Sequence, residues 1–128
     1  MRLHFHRRWL VLGGLWIGLV IFLSLTPAPP KPLTLDHSDK LAHLLAYGWL
    51  MLWFCQLYVG AARRWALAIG LIALGVGLEF LQTLTPTRSY DVLDMLANST
   101  GVLLGALLAA TPLAHALRRV ENYCLRQA

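Results

Sequence analysis

The sequence predicts an all-α membrane protein: a four-transmembrane-helix bundle with both termini in the cytoplasm and an amphipathic helix after the last span. Three observations carry this. Of 128 residues, 58% are hydrophobic and only 13% charged, with a mean hydropathy of +0.59. A soluble domain is usually about half apolar and about a quarter charged. The apolar residues fall into four runs of roughly span length, and the basic residues gather at one end of those runs. One domain covering 1–128 is expected, since a chain of this length holds one compact core.

The first run, 9–25, follows Arg7 and Arg8 and precedes a proline-rich stretch at 27–32. No small-residue cleavage site comes before the prolines, so it reads as an uncleaved first helix and not as a signal peptide. The second and third runs, 41–59 and 65–84, are broken by "GAARR" at 60–64, and the fourth, 92–110, follows "TPTRSY" at 85–90. In a four-span arrangement Arg2, Arg7, Arg8, Arg63, Arg64, Arg118, Arg119 and Arg126 lie on one side. Only Lys31, Lys40 and Arg88 lie on the other. The positive-inside rule places the larger set in the cytoplasm and turns the loops 26–38 and 85–91 outward. The expected location is the cytoplasmic membrane, as a multi-pass protein.

After Thr111, an N-cap residue type, Pro112 suits the first position of a new helix. From about 112 to 126, Leu113, Leu117, Val120 and Cys124 recur at helical spacing with Arg118, Arg119, Glu121 and Asn122 between them. That pattern predicts a helix lying on the cytoplasmic membrane surface. The net charge of +5 does not indicate nucleic acid, because no basic helix interleaves with aromatic residues. Cys55 in an apolar run and Cys124 in the tail form no disulfide framework.

The polar residues inside the runs share one depth. Asp39, His43 and Tyr47 are spaced i, i+4, i+8 at the outer end of the second helix; Glu79 and Gln82 sit near the outer end of the third. Asp91, Asp94, Asn98, Gly101 and Gly105 fall on one face of the fourth. At 1.5 Å per residue, Glu79 and Asn98 both lie ~10 Å in from the outer loop. Gly101 and Gly105 form a GxxxG, which lets helices approach closely, so that face packs inward and takes Asp94 and Asn98 with it. Ionisable groups inside a membrane bundle are functional candidates. Local roles compete with that reading: Asp91 and Asp94 suit the N-cap and first turn of the last helix. His43 suits a satisfied core position, Tyr47 an interfacial anchor and Arg88 a surface contact to lipid phosphate. Glu79 is too far from any helix start to be a cap. A faint repeat pairs "FLSLTP" (22–27) with "FLQTLTP" (80–86) and "DKLAH" (39–43) with "DMLAN" (94–98). Were it genuine, Asp39 and His43 would face Asp94 and Asn98.

"DKLAHLLAY" (39–47), "EFLQ" (79–82), Arg88 and "DMLANSTGVLLG" (94–105) together resemble the VanZ-like family of small bacterial membrane proteins. The resemblance spans about 36–105. It implies a link to resistance against glycopeptide antibiotics, notably teicoplanin, but no settled reaction. It also marks Asp39, Lys40, His43, Tyr47, Glu79, Gln82, Arg88, Asp94, Asn98 and Gly101 as signature positions.

Three functions compete. In the first, the outward cluster binds a lipid or cell-wall-precursor headgroup, with Lys40 and Arg88 on phosphate and the carboxylates on amines or hydroxyls. In the second, Asp39, His43, Glu79 and Asp94 serve an intramembrane enzyme as an acid–base set or as ligands of a divalent metal. No HExxH, GxSxG or paired-cysteine signature supports that reading. In the third, the polar groups satisfy one another and fix helix packing. The first is preferred. No cofactor is expected, and no metal, because the set lacks several histidines and basic residues stand nearby. The expected partners are membrane lipids, with a lipid-linked precursor or a glycopeptide as further candidates. Four short helices bury little surface, which leaves room for a homodimer.

Overall fold

The computed structural model describes residues 3–27 and 38–127. Arg2, Lys31 and most of the 26–38 loop, all used above to assign sidedness, lie outside the described residues. Four α-helices follow in order: α1 (His6–Leu25), α2 (Ser38–Leu57), α3 (Ala61–Gln82) and α4 (Val92–Leu108). One 3-10 turn, Pro112–His115, then leads into α5 (Ala116–Gln127).

The helices begin earlier than the apolar runs suggest, because their first turns carry charge: His6 to Arg8 in α1, Asp39 and Lys40 in α2, Arg63 and Arg64 in α3. The α2–α3 turn is short and closes through Gly60, whose φ of +114° suits a residue without Cβ. At the other end, Asp91 caps α4 by accepting from Leu93 N–H at 2.8 Å. Thr111 Oγ1 accepts from Leu113 N–H at 3.3 Å, and Pro112 opens the helical turn that follows.

α2 is the centre of the molecule. Tyr47, Leu50, Met51, Trp53, Phe54 and Cys55 are buried along it. Its closest partner is α4, and three glycines make that approach. A Cβ on Gly105 would overlap the Gly48 carbonyl oxygen, and one on Gly101 would overlap the Leu44 carbonyl oxygen. α3 closes the other flank, where a Cβ on Gly75 would stand 3.0 Å from Asn98 Nδ2. α1 packs through Gly13 against Phe54 and Trp53, and a chain of aromatic contacts through Trp9, Trp53, Trp49 and Trp16, edge-to-face at both outer pairs, reinforces the contact. Its opposite face exposes Val11, Leu15 and Phe22, a surface suited to lipid and costly in water.

α1 and α3 are each long and apolar enough to cross a membrane. α4 with the following 3-10 turn and α5 would count as a third crossing if that pair, bent by 76°, were one span. α4 alone, at 17 residues, is short for a span, and the Asp39–His43 segment lowers the apolarity of α2. The polar cluster thus sets α2 apart from an ordinary span, while α4 falls short by its length alone.

The tail differs from its expected pattern. Leu117 and Glu121 face inward, while Leu113, Val120 and Cys124 are exposed. Glu121, only 1% exposed, accepts from His4 N–H at 2.9 Å, Phe5 N–H at 2.8 Å and Trp9 Nε1–H at 2.6 Å. It caps the start of α1 from another helix, since Phe5 at the N-cap supplies no side-chain acceptor. Gln56 Oε1 accepts from Leu117 N–H at 2.9 Å, tying α5 to the end of α2 as well. The start of α1 and the tail helix therefore share one end of the bundle, and the polar cluster sits at the other.

Candidate functional site

Four helix ends meet at the polar cluster: the end of α1, the start of α2, the end of α3 and the start of α4. Their antiparallel order, set by the short turns, brings polar residues distant in sequence to one depth. Lys40 Nζ lies 2.9 Å from Asp91 Oδ2, 3.0 Å from Asp94 Oδ1 and 3.6 Å from Asp39 Oδ2. One ammonium thus bridges α2 to the start of α4. One helical turn deeper, His43 Nδ1 is 3.0 Å from Asn98 Oδ1, and His43 Nε2 is 3.5 Å from Asp94 Oδ2. α2 and α4 face each other here through Lys40–Asp94 and His43–Asn98.

Glu79 is 1% exposed. Its Oε2 accepts from Asp91 N–H at 3.3 Å, so its direct partner is backbone and not Lys40 or Arg88. Ligating atoms of Glu79, His43 and Asp94 nevertheless lie within 4.8 Å of one another. Gln82, expected beside Glu79, turns instead to α1 and donates to the Ser24 carbonyl at 3.0 Å. Asp39 stays at the rim, with more than half of its side chain in solvent. Asp91 is a cap and an ion-pair partner at once. Lys40 first, and the Leu93 N–H next, hold its carboxyl below the usual range.

A cleft of about 360 Å³ opens at this end between α1, α2 and the α3–α4 loop. Asp39, His43, Tyr47, Arg88 and Asp94 form its polar side; Val20, Leu23, Ala42 and Ala46 form its apolar wall. Thr87, anchored by donating to the Pro27 carbonyl at 2.9 Å, holds the loop beside Arg88. Among the described residues Arg88 makes no ion pair. Tyr47 is 1% exposed, and among the described residues its hydroxyl has no hydrogen-bond partner. The arrangement offers a guanidinium at the rim, carboxylates and an imidazole below it, and an apolar flank.

The family model described as VanZ/LLP1 matches residues 4–115. The chain belongs to the VanZ/LLP1 family. The match takes in all four long helices and every residue of the cluster, so the resemblance carried by "DKLAH", "EFLQ" and "DMLAN" holds over nearly the whole chain. The chain is similar to a protein of Schizosaccharomyces pombe named "Uncharacterized protein C11E3.10", at 33% identity over 112 residues. That alignment takes in 83% of this chain and 66% of the yeast protein, just under two thirds of its length. No solved structure matches.

Sequence reasoning passed over two contributors to this VanZ/LLP1 site. Gly48 and Gly75 give α4 room to approach α2 and α3, and so set where Asn98 and Asp94 stand. Neither has a glycine four residues away, and the space each one clears belongs to another helix. No local pattern marks them.

Proposed function

We propose that this VanZ/LLP1 protein is a four-span protein of the bacterial cytoplasmic membrane, with both termini inside, whose outward cleft binds the headgroup of a lipid or a lipid-linked cell-wall precursor. The observation that carries the reading is the cleft's division into an apolar wall and a polar floor, with a cation at its rim that pairs with no carboxylate among the described residues. A lipid has the matching division. Lys40 is held by Asp91 and Asp94, which leaves Arg88 as the group for phosphate, while Asp39, Asp94 and Glu79 suit amines or hydroxyls. The yeast relative favours a phospholipid headgroup over a peptidoglycan precursor, since only the former is common to bacteria and yeast. Under this reading a glycopeptide-resistance phenotype follows from a changed supply or display of envelope lipids.

Sidedness of the described arginines and the shared end of the first and last helices support the four-span, termini-inside arrangement. The headgroup reading is tested by crosslinking with a phospholipid carrying a photoreactive headgroup, followed by peptide mapping. Crosslinks concentrated on 38–47 and 87–94 are expected. Crosslinks spread evenly over the lipid-facing surface of α1 would overturn it.

A further inference from the structure

We propose that His43, Glu79 and Asp94 form a binding site for one divalent transition-metal ion of the zinc or manganese class. The three residues come from α2, α3 and α4, and their ligating atoms lie within 4.8 Å of one another. His43 Nε2 and Asp94 Oδ2, at 3.5 Å, already match the ~3.4 Å between neighbouring ligands of an ion bonded at about 2.1 Å. Glu79 completes the set with a side-chain shift of about an ångström. Imidazole with two carboxylates is a donor set for zinc, manganese and their neighbours.

The placement of His43 suits a cation. Its Nδ1 stands 3.0 Å from Asn98 Oδ1, an acceptor, so in the metal-binding form Nδ1–H donates to the amide. Nε2 then faces Asp94 Oδ2 at 3.5 Å. A proton or a metal ion between them makes that contact favourable, and Glu79 as a third donor within reach favours the metal. A histidine held through one nitrogen by a carbonyl, with the other nitrogen free, is the arrangement that orients metal-bound imidazoles. Lys40 plays the same part for Asp94: it holds Oδ1 and leaves Oδ2 turned inward.

Charge and an orphaned hydroxyl point the same way. The cluster holds four carboxylates (Asp39, Asp91, Asp94, Glu79) and one ammonium in contact with any of them, Lys40. Basic residues nearby speak against a cation on sequence grounds. In the structure Lys40 is already divided among three aspartates, and Arg88 pairs with none of the ligands. Tyr47, buried in the same cleft, leaves its hydroxyl without a partner among the described residues. In the proposed site that hydroxyl would hold a water on the ion. The site stands without the headgroup reading, because the three ligands belong to the chain itself.

The test uses the full chain purified in detergent without a histidine tag, stripped with a chelator, loaded with Zn2+ and desalted before elemental analysis. About one Zn2+ per chain is expected, with binding at least 100-fold weaker in His43→Gln, Glu79→Gln and Asp94→Asn. Asn98→Ala, which keeps all three ligands, should weaken binding roughly 10–100-fold; His115→Gln, at an exposed histidine away from the cluster, should leave it unchanged. Co2+ on the unaltered chain keeps the test decisive if a variant fails to fold. Visible d–d bands without a thiolate charge-transfer band support the site. A folded wild type that retains no Zn2+ and shows no Co2+ bands overturns the proposal. So does Zn2+ held equally well by folded His43→Gln and Asp94→Asn, which would place the ion on exposed histidines instead.

Discussion

Removing the Glu121 carboxylate should loosen the end of the bundle opposite the cleft, in a graded way that the geometry dictates. Oε1 receives two donors, Phe5 N–H and Trp9 Nε1–H, and Oε2 receives one, His4 N–H. In Glu121→Gln the carbonyl oxygen keeps the pair on Oε1, and the amide nitrogen meets the His4 N–H donor to donor. Losing one charge-assisted bond and creating that clash costs ~1–3 kcal/mol. Glu121→Ala strands all three donors, and at ~1–3 kcal/mol per unsatisfied donor the loss is at least ~3 kcal/mol. The order of stability should be wild type, then Gln, then Ala, measured by thermal or denaturant unfolding in one detergent. Amide hydrogen exchange adds site resolution: in the Gln variant the His4 amide should exchange faster while Phe5 stays protected. Burial opposes ionisation of Glu121, but donation from Phe5, Trp9 and His4, with the charge of His4, outweighs it and holds the carboxyl below its ordinary value of 4.5. A depressed folded-state value means that the stabilisation is present above about pH 4.5 and is lost as pH falls through the folded value. The Gln variant should lack that acid-dependent component. An Ala variant within ~0.5 kcal/mol of wild type, the range of ordinary surface substitutions, would refute the capping role.

Gly101→Ala and Gly105→Ala should each destabilise by ~1–3 kcal/mol or more, because the new Cβ meets backbone carbonyls of α2 that cannot rotate away. Gly70→Ala and Gly77→Ala, with open space at Cβ, should be neutral or stabilising by up to ~1 kcal/mol, and equal melts for both pairs would contradict the packing. Cys124, exposed on α5, should react with a membrane-impermeant thiol reagent only after the membrane is opened, whereas a cysteine at the exposed Ser89 of the α3–α4 loop should react in intact cells without an outer-membrane barrier. Labelling of Cys124 from outside would reverse the orientation. In a host where the protein confers glycopeptide resistance, Glu79→Gln and Asp94→Asn should abolish it; full resistance in both would remove the cluster from that phenotype.

Much of this structure is legible in the sequence because a few residues report on more than their own helix. The apolar runs locate α1 to α4, and their edges shift because charged first turns belong to the helices while lying outside the apolar pattern. The common depth of Asp39, His43, Glu79, Asp94 and Asn98 follows from counting residues between short turns. The GxxxG of Gly101 and Gly105 lies on the face of α4 that approaches the α2 backbone. Partner choice is what counting cannot supply. Glu79 takes the Asp91 N–H and Gln82 the Ser24 carbonyl, selections that depend on helix rotation and on where α1 ends. Glu121 shows the sharper limit. Amphipathic spacing sends a glutamate among arginines to the solvent side, yet the unsatisfied N–H groups at the start of α1 draw it inward from 116 residues away. Nothing near Glu121 in the sequence announces those donors.

The headgroup account predicts that the cluster is kept for binding and not for stability. Its most direct test is native mass spectrometry of wild type, Glu79→Gln and Asp94→Asn in phosphatidylethanolamine-containing nanodiscs, with melting measured on the same samples. A cluster serving only as packing should lose ~3–5 kcal/mol when one side of a buried pair is removed, enough to unfold a marginal bundle. A binding cluster is not optimised for stability, so losing a charge there is neutral or stabilising. The expected result is one lipid retained per wild-type chain, none retained by either variant, and melting close to wild type in all three. Unfolding of both variants, or lipid retention equal to wild type in both, would contradict the account.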